Sequence, residues 1–359
     1  MAEGKYIKVD DTIYPVIGEY AKVADAIVPI TINAIKVDDA IEQIAIAESM
    51  PYTAETQNAE LYRLTGAGVE DWHYDAADGS VVAVNADGES YWGVGTDVYK
   101  INADGTLGWI YASWAILTTS IAVENREGTT YVYVGDYAGN VLCLKDDGSP
   151  PTFVWAENVD VTYEPPIYAL AVDTANGFVY AGASGYSYSK GVWRAQTSTG
   201  IFVKIYATTN NVISLAVDTG SPASVYYGDN VGTYRKISSA GYVYWTKTLT
   251  GSIAGIEIGR NGLGYLSCES EKKVYQFNPA TGVTTWSYAP SPATSAYPYQ
   301  IGVDASGNVY AVYRNDLGTS GNYIYKIDSD GDFVWRWQSY VDVRFHGMAV
   351  LPGIEAAGH

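Results

Sequence analysis

Residues suited to catalysis are few in this chain and do not group together. The 359 residues include three histidines, His73, His346 and His359, and two cysteines, Cys143 and Cys268. The histidines lack the close spacing of a metal site, the cysteines are not vicinal, and there is no G-x-S-x-G nucleophile elbow. We therefore predict no catalytic, cofactor-binding or metal-binding residues and expect a protein that is not an enzyme. A polysaccharide hydrolase or lyase using two carboxylates is an alternative, because 40 acidic residues always offer pairs.

Two groups of acidic and amide side chains could bind a cation. The first group closes equivalent apolar strands and consists of Asn85, Glu124, Asp173, Asp218 and Asp304. The second is Asp328, Asp330 and Asp332, which have calcium-loop spacing but lack the downstream Glu of such a loop. Asp and Asn commonly accept hydrogen bonds from the backbone of a following turn. We expect turn capping in both groups rather than a cation site.

Charge and composition exclude several classes of partner. The net charge is −19 and Lys and Arg do not cluster, so we do not expect nucleic acid to bind. The N-terminal MAEGKYIKVDD lacks the apolar core of a signal peptide, and no run could span a bilayer. We therefore expect synthesis in the cytoplasm, no Sec-type export and no membrane insertion. The 33 tyrosines suit partly wet strands, and an aromatic platform for sugars is the alternative explanation.

Two series of residues recur at a spacing of roughly 44 residues. One is the strand-closing group named above, with Gly259 and Leu351 where a polar residue is missing. The other follows Gly-containing turns and consists of Trp72, Trp109, Trp155, Trp245, Trp286 and Trp335, with Lys204 in the tryptophan position between Trp155 and Trp245. Units of this length with four short Val-, Ile- and Tyr-rich strands are typical of β-propeller blades.

The two series predict an all-β fold, a seven-bladed β-propeller of four-stranded blades over residues 56–359. The tryptophan series begins before the first inner strand, and the strand series ends after the last outer strand. One blade is therefore shared between the chain ends, which removes open sheet edges. Six and eight blades remain alternatives, and the second strand of the shared blade is either the GIEAAGH tail or part of residues 44–52. Cys143 and Cys268 would lie three blades apart as buried free thiols.

Residues 1–55 carry a second repeat with a period of 14 residues. Equivalent positions hold Lys8, Lys22 and Lys36; Asp11, Asp25 and Asp39; Ile13, Ile27 and Ile41; and Pro15, Pro29 and Gln43. Fourteen residues suit one β-hairpin, with the prolines at edges or bulges. The third unit could instead begin a helix, because Asp39 and Glu42 form a capping box, but the alignment favours strand. Hairpins this small have little core, so we expect this segment to dock or oligomerise, with a disordered leader as the alternative.

Two resemblances extend these predictions. The unit YIKVDDTIYPV, which begins at Tyr6, resembles short tandem repeats in structural proteins of tailed bacteriophages. This implies attachment to other virion proteins through residues 1–55, although Ala24, Glu42 and Gln43 depart from the pattern. The stretches INADGTLGWIYA, FNPATGVTTWSYA and IDSDGDFVWRWQ resemble PQQ-like and YncE-like propeller repeats, which implies a fold rather than a function.

The combined prediction is a non-enzymatic structural protein of a phage particle, localised to the virion as head decoration, collar or tail-fibre adhesin. Its N-terminal segment would anchor it, as a homo-oligomer, and its propeller would contact a host-surface glycan or protein. The alternatives are a cellular glycan-binding or scaffold propeller and the carboxylate-based hydrolase or lyase.

Overall fold

The structure, a computed structural model, describes residues 50–350 apart from 56–59, 77–78, 113–116, 186–187, 291–295, 315–322 and 339–344. It also describes the backbone of six short strands between residues 6 and 42. The regular structure in these residues is β-strand throughout. The chain divides into two compact units, one of residues 1–48 with 353–359 and one of residues 49–352. Residues 51–55 belong to the second of these units.

The first unit contains the predicted hairpins. Strands β1 (Tyr6–Val9), β2 (Thr12–Ile17), β3 (Tyr20–Val23) and β4 (Ala26–Pro29) form one sheet in chain order, and β5 (Ile35–Val37) pairs with β6 (Ala40–Glu42). The 14-residue period corresponds to one pairing register, in which Lys8 lies opposite Ile13, Lys22 opposite Ile27 and Lys36 opposite Ile41. The third unit is thus a hairpin, and the helix alternative is wrong.

The two prolines of this unit occupy different positions in the sheet. Pro29 is the last residue of β4, which is an edge strand, as expected for a residue that cannot donate to the ladder. Pro15 lies on the inner strand β2, where it pairs with Tyr6 of β1. The pairing of β2 with β3 involves only Val16 and Ile17, so Pro15 has a ladder partner on one side alone.

Six sheets of the second unit, within the described residues, each consist of four consecutive strands in antiparallel order. They are β10 (Gly79–Val84), β11 (Ser90–Val94), β12 (Asp97–Ile101) and β13 (Leu107–Ala112); β14 (Thr118–Arg126), β15 (Thr129–Asp136), β16 (Asn140–Asp146) and β17 (Thr152–Asn158); β18 (Ile167–Asp173), β19 (Phe178–Ala183), β20 (Gly191–Gln196) and β21 (Val203–Ala207); β22 (Val212–Val217), β23 (Ser224–Asp229), β24 (Thr233–Ser238) and β25 (Val243–Thr248); β26 (Ile253–Ile258), β27 (Gly264–Cys268), β28 (Lys273–Phe277) and β29 (Thr284–Tyr288); and β30 (Tyr297–Val303), β31 (Val309–Arg314), β32 (Tyr323–Ile327) and β33 (Phe333–Gln338). These are propeller blades of the expected four-stranded kind.

A further sheet, here called the composite sheet, draws on both ends of the propeller unit. It contains β7 (Pro51–Glu55), β8 (Glu60–Leu64), β9 (Glu70–Asp75) and β34 (Phe345–Val350), in the order β34-β7-β8-β9. Seven blades were predicted, and six are built from consecutive strands. The strands of the composite sheet are not consecutive, because β34 is far from β7, β8 and β9 in sequence. The second strand of this sheet begins at Pro51 and so only overlaps the predicted 44–52 range. The GIEAAGH tail lies outside the described residues.

The hydrophobic core lies between adjacent blades. One cluster joins Tyr133, Cys143 and Trp155 of one blade to Ile167 and Ala181 of the next. Similar clusters occupy the other described interfaces between blades. Cys143 and Cys268 are both buried and free, and they belong to different blades. Apolar burial of this kind makes each blade depend on its neighbours for stability.

The tryptophan series links the blades at their outer strands. The indole N–H of Trp155 donates to the Thr197 carbonyl at 2.9 Å, in the turn before the outer strand of the next blade. Gly200 of the same turn has φ of +71°, and a Cβ there would lie 2.5 Å from the Trp155 ring. Equivalent indole bonds run from Trp72 to Ala103, Trp245 to Pro279, Trp286 to Ser329 and Trp335 to Gly66. These residues therefore have a packing role in the structure.

Two members of the series make different contacts. Trp109 donates to the Asp146 carboxylate at 2.9 Å instead of to a carbonyl. Asp146 also accepts from Lys100 Nζ at 2.7 Å, so a buried polar network replaces the turn contact there. Lys204 places its ammonium 4.5 Å from the centre of the Trp193 ring of its own blade, a cation–π geometry.

Candidate binding face and axial channel

The two faces of the propeller have different connections. Strands alternate in direction, so the connections from first to second and from third to fourth strand share one face, here called the turn face. They are short turns, and many contain a glycine with positive φ. The connections from second to third strand and from blade to blade share the loop face. They include the longer segments 159–166 and 184–190. Loops of variable length on a rigid scaffold are where binding residues concentrate.

The Asn and Asp residues that close inner strands cap turns on the turn face. Glu124 differs, since it accepts from the Tyr133 hydroxyl at 2.8 Å and from the Arg126 guanidinium at 2.6 Å. Asp304 Oδ1 accepts from the backbone N–H groups of Ser306 and Asn308 at 3.0 and 2.8 Å, and its other oxygen accepts from the Tyr310 hydroxyl at 3.2 Å. Asn85, Asp173 and Asp218 also accept backbone bonds from their turns. Asp328 caps the turn that contains Asp330 in the same way. These contacts match turn capping, and no group of three His, Cys, Asp or Glu able to hold a metal occurs among the described residues.

Many of the tyrosines are buried inside blades and have structural partners. The Tyr226 hydroxyl donates to Asp218 at 3.1 Å, and the Tyr133 hydroxyl donates to Glu124 at 2.8 Å. Burial and then the nearby Asp218 carboxylate raise the pKa of Tyr226 well above its ordinary value. These hydroxyls therefore remain protonated donors, and much of the high tyrosine content reflects packing.

Four other tyrosines are exposed on the loop face and form what we call the tyrosine patch. It consists of Tyr137, Tyr163, Tyr168 and Tyr188. The Tyr163 and Tyr188 rings are stacked, with centroids 6.0 Å apart, and the Tyr137 and Tyr168 rings meet edge to face at 6.4 Å. Gly139, two residues after Tyr137, and Gly185 both lie close to the segment at Pro165, which follows Tyr163 in the chain.

An axial channel of about 690 Å³ opens beside this patch. Its walls come from the inner strands β10, β14, β18, β22, β26, β30 and β34, and Tyr168 of the patch lies in its wall together with Tyr299. Most of the lining residues have aliphatic side chains, and Thr, Ser and Gln residues add polar surface. Glu257 of β26 is the charged side chain among the described lining residues, and the predicted acidic ring does not contribute to the lining.

Glu257 is anomalous among residues at its position in the inner strands. In the strand alignment the same position, two residues before the strand-closing residue, is occupied by Ala83, Ala122, Ala171, Ala216, Gly302 and Ala349. The side chain is half-buried, since the channel can admit water, but protein surrounds it. Removal from bulk water raises the pKa of its carboxyl group to about 7. Sequence reasoning missed this residue, although a charge inside the apolar stretch GIEIG was a visible signal.

His73 and the predicted docking residues that the structure describes lie on strands other than the inner strands that line the channel. His73 lies on the outer strand β9, where a hydrogen bond to Glu70 at 2.8 Å raises its pKa. Among the predicted docking residues, Asp11 lies outside the described residues. The remaining ones lie on the first six strands and are Tyr6, Lys8, Ile13, Pro15, Lys22, Ile27, Pro29, Lys36 and Ile41.

No helix in the described part of the chain is long and apolar enough to cross a membrane.

Comparison with known proteins shows similarity of fold. No protein family matches the chain, and no curated protein matches it in sequence. A structure of a Bacteroides caccae protein of unknown function is 11% identical, with a TM-score of 0.52 over 84% of this chain and 98% of that one. A chain of a nidogen/laminin complex is also 11% identical, with a TM-score of 0.53 and the same coverage.

Raptor from Chaetomium thermophilum is a further structural neighbour. It is 10% identical, with a TM-score of 0.67 over 86% of this chain and 28% of that one. Identities this low carry information about architecture alone. Together with the strand order, these neighbours show that the chain contains a β-propeller of four-stranded blades.

Proposed function

We propose that this chain is a non-enzymatic binding protein of a larger assembly. In this proposal the N-terminal hairpins attach it to other proteins of the assembly, and the loop face of the propeller binds a glycan. The tyrosine patch is the observation that carries the proposal, because exposed aromatic rings grouped on one face rarely lack a binding role. A tyrosine ring stacks against the C–H faces of a sugar while its hydroxyl bonds to the sugar hydroxyls.

The geometry of the patch supports a polar, ring-shaped partner. The loop face carries two tyrosine pairs, and Tyr188 exposes 76% of its surface. Stiff amphipathic rings lose little conformational entropy on binding, which is why tyrosine predominates at many recognition surfaces. The acidic character of the chain makes an anionic polymer a poor partner, so a neutral glycan fits best.

We further propose that the assembly is a tailed-phage particle, on the strength of the N-terminal repeat alone. The common register of the three hairpins supports their use as equivalent docking units. Hairpins of this size gain stability by pairing with other proteins or with copies of themselves. A homo-oligomer built through residues 1–48 is consistent with that requirement.

We also propose that the composite sheet completes a ring of seven blades. β34 contacts both β10 and β30, the inner strands of the flanking blades. Trp335 donates to the Gly66 carbonyl of the composite sheet at 2.9 Å, and Trp72 of that sheet donates to Ala103 of the next blade. The same indole contact thus occurs on both sides of the composite sheet.

Glycan binding can be tested with a pair of matched tyrosine variants. We expect the full chain to bind a subset of neutral glycans on an array, and Tyr188→Ala to weaken that binding about tenfold, or about 1.4 kcal/mol. Tyr242 is the control, because it is equally exposed at 76% but lies on the turn face. Tyr242→Ala should bind normally. Equal losses in both variants, or no binding to any glycan, would contradict the proposed role of the patch.

Attachment can be tested in purified phage particles. We expect the intact chain to be a component of the particle and a chain lacking residues 1–48 to be missing from it. The deletion must stop at 48, since β7 begins at Pro51 and belongs to the propeller unit. Normal incorporation of the shortened chain would refute the docking role. Glycan binding without any association with particles would favour a cellular glycan-binding propeller.

A further inference from the structure

We propose that the axial channel binds an organic ammonium ion, whose charge pairs with Glu257 and whose apolar body lies along the channel walls. The inference is independent of glycan binding on the loop face. It rests on the lack of a partner for Glu257, on the space around this residue and on the chemistry of the walls.

The carboxylate of Glu257 has no hydrogen bond or ion pair with the described residues. Three polar side chains that share the channel wall already donate to an adjacent inner strand. Ser214 donates to the Ile253 carbonyl at 2.7 Å, and Ser120 donates to the Ile167 carbonyl at 2.8 Å. Gln300 donates to the Ala254 carbonyl at 3.3 Å. The described lining residues include no Lys, Arg or His, so a bound species would have to supply both the donor and the positive charge.

The channel leaves room for such a species. At the position that Glu257 occupies in its strand, the other inner strands carry Ala or Gly. A side chain as long as Glu can be accommodated there because its counterparts are small. The volume of about 690 Å³ is in the range of small-molecule sites, which are typically apolar with a few polar groups that fix orientation.

The wall chemistry favours an ammonium ion over a metal ion. Calcium takes six to eight oxygen ligands, whereas this site offers one carboxylate. Partly exposed aliphatic residues such as Val81, Leu170 and Ile213 line the channel, and they suit an alkyl body. Tyr168 and Tyr299 lie three residues earlier in their strands, about 10 Å along the axis at 3.3 Å per residue. The Tyr299 ring already contacts the Arg314 guanidinium, which lies 4.4 Å from the ring centre. Tyr168 therefore supplies the ring placed to attract an amine on its path from the loop face.

The test is a titration calorimetry series on the full chain at pH 8 with ligands of equal length and different charge. The probes are n-hexylamine, hexan-1-ol, hexanoate and calcium chloride. We expect hexylamine to bind and the alcohol and the acid to bind at least tenfold more weakly. Glu257→Gln should reduce hexylamine affinity at least tenfold. Glu157→Gln is the control, because it neutralises an exposed glutamate on the outer strand β17. It should leave hexylamine affinity unchanged.

Three other results of the calorimetry would overturn the proposal. Equal affinity for hexylamine and hexanol, unaffected by Glu257→Gln, would show apolar binding only and overturn the proposal. Calcium binding that depends on Glu257, or the absence of hexylamine binding, would also overturn it. Glu257→Ala provides a second variant that should fold, since Ala occupies this position in other blades. It should lose hexylamine binding as well.

Discussion

At the scale of single residues, Glu257 carries a cost in stability that depends on pH. Its carboxyl group has a pKa of about 7 in the folded chain, against about 4.5 for an unperturbed glutamate. The unfolded chain therefore loses this proton at lower pH than the folded chain does. A raised carboxyl pKa destabilises the folded state progressively as pH rises through this interval. Burial without a partner is the cause.

The pH dependence of chemical unfolding should therefore change when Glu257 is neutralised. Between pH 5 and pH 8 the contribution of Glu257 should lower the free energy of unfolding by about 2.5 kcal/mol, at 1.36 kcal/mol per pKa unit. In Glu257→Gln that part of the pH dependence should disappear, and the variant should be the more stable protein at pH 8. Urea titrations of both proteins at the two pH values measure the difference. An identical pH dependence in the two proteins would show that the carboxyl group is not desolvated.

The sequence could not assign individual tyrosines to packing or to recognition. Tyr180 and Tyr188 are close in sequence, yet Tyr180 is fully buried and Tyr188 is exposed. Both stand in stretches rich in Gly and Tyr, and the difference arises because one lies in a strand and the other in a loop. Glu257, in contrast, could have been found, since it is a charge at a position where the repeat otherwise places Ala or Gly.

At the scale of elements, the contact between an indole and a glycine turn holds adjacent blades together. The turn approaches the ring closely because glycine has no Cβ and accepts positive φ. The sequence located these tryptophans by their spacing, and it also predicted the strand order within blades. It could not show which atoms they contact, because the acceptor carbonyl belongs to the turn of another repeat.

Two glycines with similar backbone angles allow the cost of backbone strain to be measured apart from the cost of a clash with an indole. Gly200 has φ of +71° and a would-be Cβ 2.5 Å from Trp155, whereas Gly128 has φ of +77° and open space around it. Gly128→Ala should cost about 1 kcal/mol of unfolding free energy through backbone strain alone. Gly200→Ala should cost about 1–3 kcal/mol more, because the methyl group also displaces the indole. Guanidinium unfolding of both variants tests this, and equal losses would show that the indole contact contributes nothing.

At the scale of the whole molecule, the composite sheet depends on a strand that the sequence placed only as one of two alternatives. The offset of the two series correctly indicated a sheet drawn from both chain ends. Its second strand, PYTAE in β7, is short and carries no repeat motif, so its pairing with β34 had to come from the structure.

Two N-terminal deletions should therefore differ sharply in their effect on the propeller. Removal of residues 1–48 should leave the thermal midpoint of the propeller unchanged, because β7 remains. Removal of residues 1–55 should lower it by several degrees or prevent folding, because β34 and β8 lose the strand between them. Differential scanning calorimetry of both proteins measures this, with equal midpoints as the contradicting result. A loss of 1 kcal/mol typically shifts the midpoint of a domain this size by about 2–4 °C.

The position of β7 also determines how the propeller would respond to mechanical load. Tension applied through the N-terminal hairpins reaches the propeller at Pro51, the first residue of β7. That strand lies between β34 and β8 and pairs antiparallel with both. A pull along its axis would shear two ladders of hydrogen bonds at once, rather than peel an edge strand away one bond at a time. The strand that completes the composite sheet would thus also be the element that resists tension applied through the N-terminal hairpins.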